Sequence, residues 1–134
     1  ATPTGTPVPG CADAYEPDNL QAQAQPISVD GVAQTHLFQT AGDVDWVRFT
    51  ADTSHSYTIV TSELAPDVDT VLGLYTQDGV RVTFNDDDPA NPPASRIDFA
   101  PTVAGTYYVR VADYNPGFGG CGASYKLSVQ QSNR

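Results

Sequence analysis

Side-chain alternation with a period of two runs through this chain, and it leaves room for little except β-sheet. In Gly105-Thr106-Tyr107-Tyr108-Val109-Arg110-Val111, residues Tyr107, Val109 and Val111 share one face, and Tyr108 and Arg110 the other. The same parity separates Val47 and Phe49 from Trp46 and Arg48. It aligns Tyr57 with Ile59 and Thr61, Leu72 with Leu74, and Tyr125 with Leu127 and Val129. No long stretch has helical periodicity. The pattern predicts strands near 34–39, 44–51, 55–62, 70–76, 79–84, 95–100, 105–112 and 123–130, with residues 20–33 irregular or weakly extended. Gln77-Asp78-Gly79 reads as a tight hairpin turn. The expected fold is all-β: a single antiparallel β-sandwich, jelly-roll-like, of about eight strands. Its predicted core is Val47, Phe49, Tyr57, Ile59, Leu72, Leu74, Val82, Phe84, Ile97, Phe99, Tyr107, Val109, Val111, Tyr125, Leu127 and Val129.

Residues 1–12 are rich in Thr, Pro and Gly and carry nothing to build a core from, so they read as a linker stub from an upstream domain. Residues 13–134 form the predicted domain, and 134 residues suffice for one real core. Sixteen Asp and Glu against six Lys and Arg leave a net charge of −10. That balance argues against nucleic acid and against anionic membrane surfaces as partners. No apolar run approaches the roughly 18 residues of a membrane span. The composition suits a secreted, extracellular protein, expected to be a monomer. The two cysteines, Cys11 and Cys121, lie near opposite ends of the chain. A disulfide between them would close a loop worth about 4–5 kcal/mol on the chain-entropy model, with two free thiols as the alternative. No third or fourth ligand accompanies them to make a zinc site.

The acidic residues are clustered, and crowded carboxylates need a positive charge among them. Calcium is the available neutraliser outside the cell, and it takes roughly six to eight oxygen ligands. Two constellations qualify. The first joins Glu16, Asp18 and Asn19 to Asp43 and Asp45, and would pin the linker to the sandwich. The second joins Asp67 and Asp69 to Asp86, Asp87 and Asp88, with Asp113 as a further candidate. Neither follows the EF-hand spacing, and a solvated acidic loop is the ordinary alternative. His36 and His55 have no ligand-like spacing and read as exposed strand or turn histidines.

There is no G-x-S-x-G elbow and no H-E-x-x-H, and nothing selects one carboxylate pair for glycoside hydrolysis. The chain is expected not to be an enzyme. The outward stripe of Trp46, Arg48, Tyr108 and Arg110, with Tyr75, forms a candidate ligand face if the strands at 44–51 and 105–112 share a sheet. The alternative places Trp46 beneath the N-terminal segment in a satellite cluster.

Ordered motifs then accumulate: Tyr15-Glu16-Pro17-Asp18-Asn19; Gly42-Asp43-Val44-Asp45-Trp46-Val47-Arg48-Phe49; Asp69-Thr70-Val71-Leu72-Gly73-Leu74-Tyr75; Asn85-Asp86-Asp87; Ser95-Arg96-Ile97; Ala104 to Val111; and Tyr125-Lys126-Leu127-Ser128-Val129. With these the chain resembles the bacterial pre-peptidase C-terminal domain over about residues 13–130. The resemblance implies a secreted β-sandwich appended to a peptidase or other hydrolase. Some relatives in bacterial collagenases bind collagen and hold calcium near the N-terminal linker, which implies ligand roles for Glu16, Asp18, Asn19 and Asp45. Where those relatives carry a further acidic residue, this chain has Ala14, with Asp13 one step back. The implied function is a non-catalytic calcium-binding module with an upstream catalytic domain in the same polypeptide. It would tether that domain to an extracellular polymer, collagen-like or polysaccharide. The alternative is a calcium-locked structural spacer or a secretion and folding aid.

Overall fold

A computed structural model describes residues 19–38, 40–120 and 122–134. A 3-10 turn at Gln21–Gln23 precedes nine strands: β1 (Gln25–Pro26), β2 (Gln34–Leu37), β3 (Val44–Ala51), β4 (His55–Ser62), β5 (Thr70–Thr76), β6 (Arg81–Asn85), β7 (Arg96–Phe99), β8 (Gly105–Asp113) and β9 (Ser124–Asn133). They form two sheets, one in the order β1-β3-β8-β5-β6 and the other β2-β9-β4-β7. All pairings are antiparallel except β1 with β3. The expected sandwich is present, and the eight predicted strands match β2 to β9 within a few residues.

Alternation puts one side of each sheet into the shared interior. Val47, Phe49, Leu72, Leu74, Val109 and Val111 come from the five-stranded sheet, and Tyr57, Ile59, Ile97, Tyr125, Leu127 and Val129 from the four-stranded one; all are buried. Phe38 and Val68 close the core from loops beside the strands, and neither was expected there. Phe99 is half-buried, edge-on to Tyr107 at 4.8 Å between ring centres.

Two predicted core residues are not core. Val82 and Phe84 are 43% and 55% exposed. The cause is register. Inward-facing Leu72 and Leu74 pair with Asn85 and Thr83, so Phe84, opposite Gly73, falls on the outer face. A register shift between Leu74 and Tyr75 displaces Val82 as well. β6 is an edge strand, and its aromatic residue lies on the outward side.

Trp46 is the reverse case. It lies on the outward parity yet is only 9% exposed. Its ring sits 5.1 Å from that of Tyr75, two strands away. Gly73 makes this reach feasible, because a Cβ there would lie 2.8 Å from a ring carbon of Tyr75. Gly73→Val is therefore expected to push Tyr75 off Trp46, red-shift the emission of the only tryptophan, and cost about 1–3 kcal/mol of stability. Unaltered Trp46 emission would contradict this packing.

Candidate metal centre

Two polar ties cross between the sheets and position the acidic residues. Thr61 of β4 and Thr70 of β5 are inward and buried, so their hydroxyls need partners. They find each other at 2.7 Å, and Thr70 Oγ1 also meets Ser95 Oγ at 2.9 Å. The backbone N–H of Ser95 donates to Thr61 Oγ1 at 2.8 Å. Ser95 Oγ lies 2.5 Å from both the Thr70 and Asp86 carbonyl oxygens. This buried knot holds the start of the acidic loop against the start of β5. The loop is closed further along by Asp88 N–H to Ala94 O at 2.6 Å.

The knot brings Asp86 and Asp87 to Asp69. Each of these three offers a carboxylate oxygen, and the three oxygens lie within 4.8 Å of one another. Two oxygens on opposite sides of one calcium ion are about 4.6–5.2 Å apart, so the trio can converge on an ion without rearrangement. Asp69 Oδ1 and Asp86 Oδ1 are both buried and have no hydrogen-bond partner. Burial pushes the Asp69 carboxyl up to about 6, and the charges of Asp86, Asp87 and Asp113 push the same way. Asp86 is also raised, by burial first and then by Asp87. Among the described residues, no Lys or Arg relieves either group. Two buried carboxylate oxygens beside a third, exposed carboxylate, all of like charge, suit a hard cation, so the residues fit calcium.

The other members of this predicted cluster are placed differently. Asp113 adjoins the trio: its Oδ2 accepts the Asp69 backbone N–H at 3.1 Å, and its Oδ1 that of Asn115 at 2.9 Å. Asp88 turns away, its Oδ1 accepting Ala90 N–H at 3.0 Å. Asp67 is exposed, with a positive φ of 68°, and is not part of the trio. Ser95, Thr61 and Thr70 were missed as scaffolding residues. The available signal was a pair of hydroxyls on inward strand positions, which cannot stay unpaired.

In the other predicted constellation, Glu16 and Asp18 lie outside the described residues, as do Cys11 and Cys121 of the expected bridge. Asn19 is half-buried, with side-chain oxygen and nitrogen sequestered from solvent. Asp43 is buried, and its Oδ1 accepts Val44 N–H at 3.0 Å. Asp45 shares the inward parity of Val47 and Phe49 and is fully buried. The Tyr125 hydroxyl donates to Asp45 Oδ2 from the opposite sheet. His36 Nδ1 lies 3.9 Å from the same oxygen, and its ring stacks on Tyr125 at 5.7 Å. His36 is thus fully buried, which corrects its reading as an exposed histidine. His55 does face solvent in part, 2.7 Å from Asp52.

The candidate ligand face shares one sheet, as its reading required. β3 and β8 are neighbours, with Trp46 opposite Arg110 and Arg48 opposite Tyr108, and Tyr75 follows on β5. Trp46 presents little surface; Arg48 is exposed, and Tyr75, Tyr108 and Arg110 are half-buried.

The family model of the bacterial pre-peptidase C-terminal domain matches residues 43–113, just over half of the chain. The chain belongs to that family. A probable subtilase-type serine protease of Deinococcus radiodurans is 31% identical over 107 residues, covering 77% of this chain and 14% of the protease. The chain therefore spans about one seventh of that relative. The pre-peptidase C-terminal domain of a Bacillus anthracis collagenase superposes with a TM-score of 0.59 at 20% identity, over 80% of this chain and 94% of that one. Aeromonas hydrophila PliG, a periplasmic inhibitor of g-type lysozyme, superposes with a TM-score of 0.61 at 12% identity, over 81% and 96%. At these identities the superpositions establish the sandwich alone. Among the described residues, no helix is long and apolar enough to cross a membrane.

Proposed function

We propose that this pre-peptidase C-terminal domain is a secreted, non-catalytic, calcium-binding accessory module of a multidomain peptidase, and that it tethers its catalytic domain to an extracellular polymer. The observation that carries the calcium is the meeting of Asp69, Asp86 and exposed Asp87, with a buried oxygen on each of the first two and no Lys or Arg among the groups that shift them. The likeness to a much longer protease supports a catalytic domain in the same polypeptide. The likeness to a domain of a collagenase supports an extracellular matrix as the setting. Isothermal titration with calcium after EGTA treatment tests the metal, and polymer pull-down tests the tether. Heats of dilution alone would reject the first, and no retention on collagen, chitin, cellulose, xylan or an anionic polysaccharide would reject the second.

A second reading has one observation in its favour. Trp46, the strongest stacking candidate, is covered rather than presented. That favours a calcium-locked spacer with no polymer ligand. Either reading includes a Cys11–Cys121 bridge, for which the native protein is expected to show no alkylatable thiol by mass spectrometry. Two modified cysteines would rule the bridge out.

A further inference from the structure

The outer face of the five-stranded sheet has a charge pattern unlike the rest of the chain. Its positions are set by strand register. One row across the strands is Trp46, Arg110, Gly73 and Phe84; the next is Arg48, Tyr108, Tyr75 and Arg81. The remaining outward positions of β3, β5 and β8 are Val, Ala or Thr. None is Asp or Glu, although the chain carries sixteen acidic residues. Three of the six Lys and Arg stand here.

These three arginines have no carboxylate partner among the described residues. The other cations are engaged elsewhere: Arg96 with Asp98 at 3.1 Å, Lys126 with Glu63 at 3.0 Å, and Arg134 with the carbonyls of His55 and Pro101. Arg81 lies over the Phe84 ring at 4.5 Å, leaving its guanidinium edge free. Arg48 and Arg81 are exposed, and Arg110 is half-buried. In a protein of net charge −10, solvation alone gives no reason to keep acids out of every outward strand position, with Asp43 and Asp113 only at the strand ends, and to leave the arginines there unpaired.

We infer that this face binds an anionic linear polysaccharide, a polymer of uronic acid or sulfated sugars. Adjacent strands stand about 4.8 Å apart, so Arg48 and Arg81 bracket Tyr108 and Tyr75 over about 14 Å. By backbone register, a chain laid across the strands crosses an arginine, two tyrosines and a second arginine in succession, with the Tyr75 ring leaning over Gly73 onto Trp46 and Arg81 leaning onto Phe84 in the adjoining row. Arginine pairs with carboxylate or sulfate through two parallel N–H donors, and the aromatic rings accept sugar faces. Nucleic acid fits less well, because its dense phosphates meet the full repulsion of the acidic body. The inference rests on the tethering reading and names its polymer class.

The experiment uses the full chain, with Trp46 emission as the signal, because Trp46 touches Tyr75 on this face. Hyaluronate and chondroitin sulfate oligomers are titrated, with and without EGTA and at two salt concentrations. Xylan, soluble cellulose oligomers, a collagen peptide and single-stranded DNA are titrated in parallel. Saturable binding of the anionic sugars is expected, weakened by salt and about tenfold or more by Arg48→Gln or Arg110→Gln. Arg96→Gln, at the opposite sheet, should leave it unchanged, and melting curves of all three should overlay the parent. Failure to bind either anionic sugar, or binding indifferent to Arg48→Gln and Arg110→Gln, overturns the inference. If neutral glycans or collagen bind instead, the tether survives and the anionic assignment fails. Arginine-dependent dimerisation by light scattering, or preferential binding of DNA, overturns it too.

Discussion

Asp45→Ala is expected to lower the unfolding free energy by about 3 kcal/mol or more, among the largest losses a single substitution can cause here. Asp45 is fully buried between the sheets, where an apolar side chain would be the ordinary occupant. It is held by the Tyr125 hydroxyl, with His36 beside it on the opposite sheet. Truncation removes the hydroxyl–carboxyl bond, takes that partner from the buried Tyr125 hydroxyl at a cost of about 1–3 kcal/mol, and leaves a void in a packed interior. Tyr125→Phe removes only the hydroxyl, so its cost should stay within about 1–3 kcal/mol. Urea unfolding in EGTA checks both without contribution from a bound ion. Two variants as stable as the parent would mean that this contact contributes nothing to joining the sheets.

Asp69→Asn should change sign with calcium. In EGTA at neutral pH, the substitution removes one of three repelling carboxylates, so the melting temperature is expected to rise. In millimolar calcium it removes a ligand, so the variant should melt below the parent. At a hundredfold excess over Kd, an ion held only by the folded state contributes about 2.7 kcal/mol, and the variant forfeits most of it. The pH dependence follows from the same group. The folded Asp69 carboxyl is raised to about 6 from an ordinary value of 3.8. Between those values the folded state binds more protons than the unfolded state. The stability of the metal-free protein should therefore fall as pH rises from about 4 to about 6. Calcium should oppose that fall, because it binds the deprotonated trio. Calorimetry at pH 4.5 and 7.5, with EGTA and with calcium, resolves the four cases. A melting temperature indifferent to calcium at pH 7.5 would falsify the metal assignment.

The strands were legible because a half-buried sheet writes its two faces into the sequence every second residue. β3, β4, β8 and β9 each alternate a buried residue with one less buried over most of their length. β6 failed that reading because it is an edge strand with a register shift, so Phe84 faces outward and Val82 stays exposed beside the shift. His36 failed for a different reason. A four-residue edge strand carries too short a pattern to show that its histidine points at a buried aspartate of the other sheet.

The candidate metal site was legible as composition but not as membership. Six acidic residues near 67–69, 86–88 and 113 announced a cluster. Which of them meet depends on where the loop is anchored. Asp69 and Asp86 are seventeen positions apart in sequence, and the Thr61, Thr70 and Ser95 hydroxyls set their separation in space. Asp88, two residues further on, is turned aside by its own bond to Ala90.

By itself, the order of residues determined the all-β class, the strand positions, the family and the excess of negative charge, since each is written in neighbours along the chain. Only the tertiary structure decided which carboxylates converge, that Asp45 lies in the interior, and that unpaired arginines and aromatic rings line up across four strands. Those outcomes depend on register between distant segments, and a shift of one residue would turn every side chain in a strand to the opposite face.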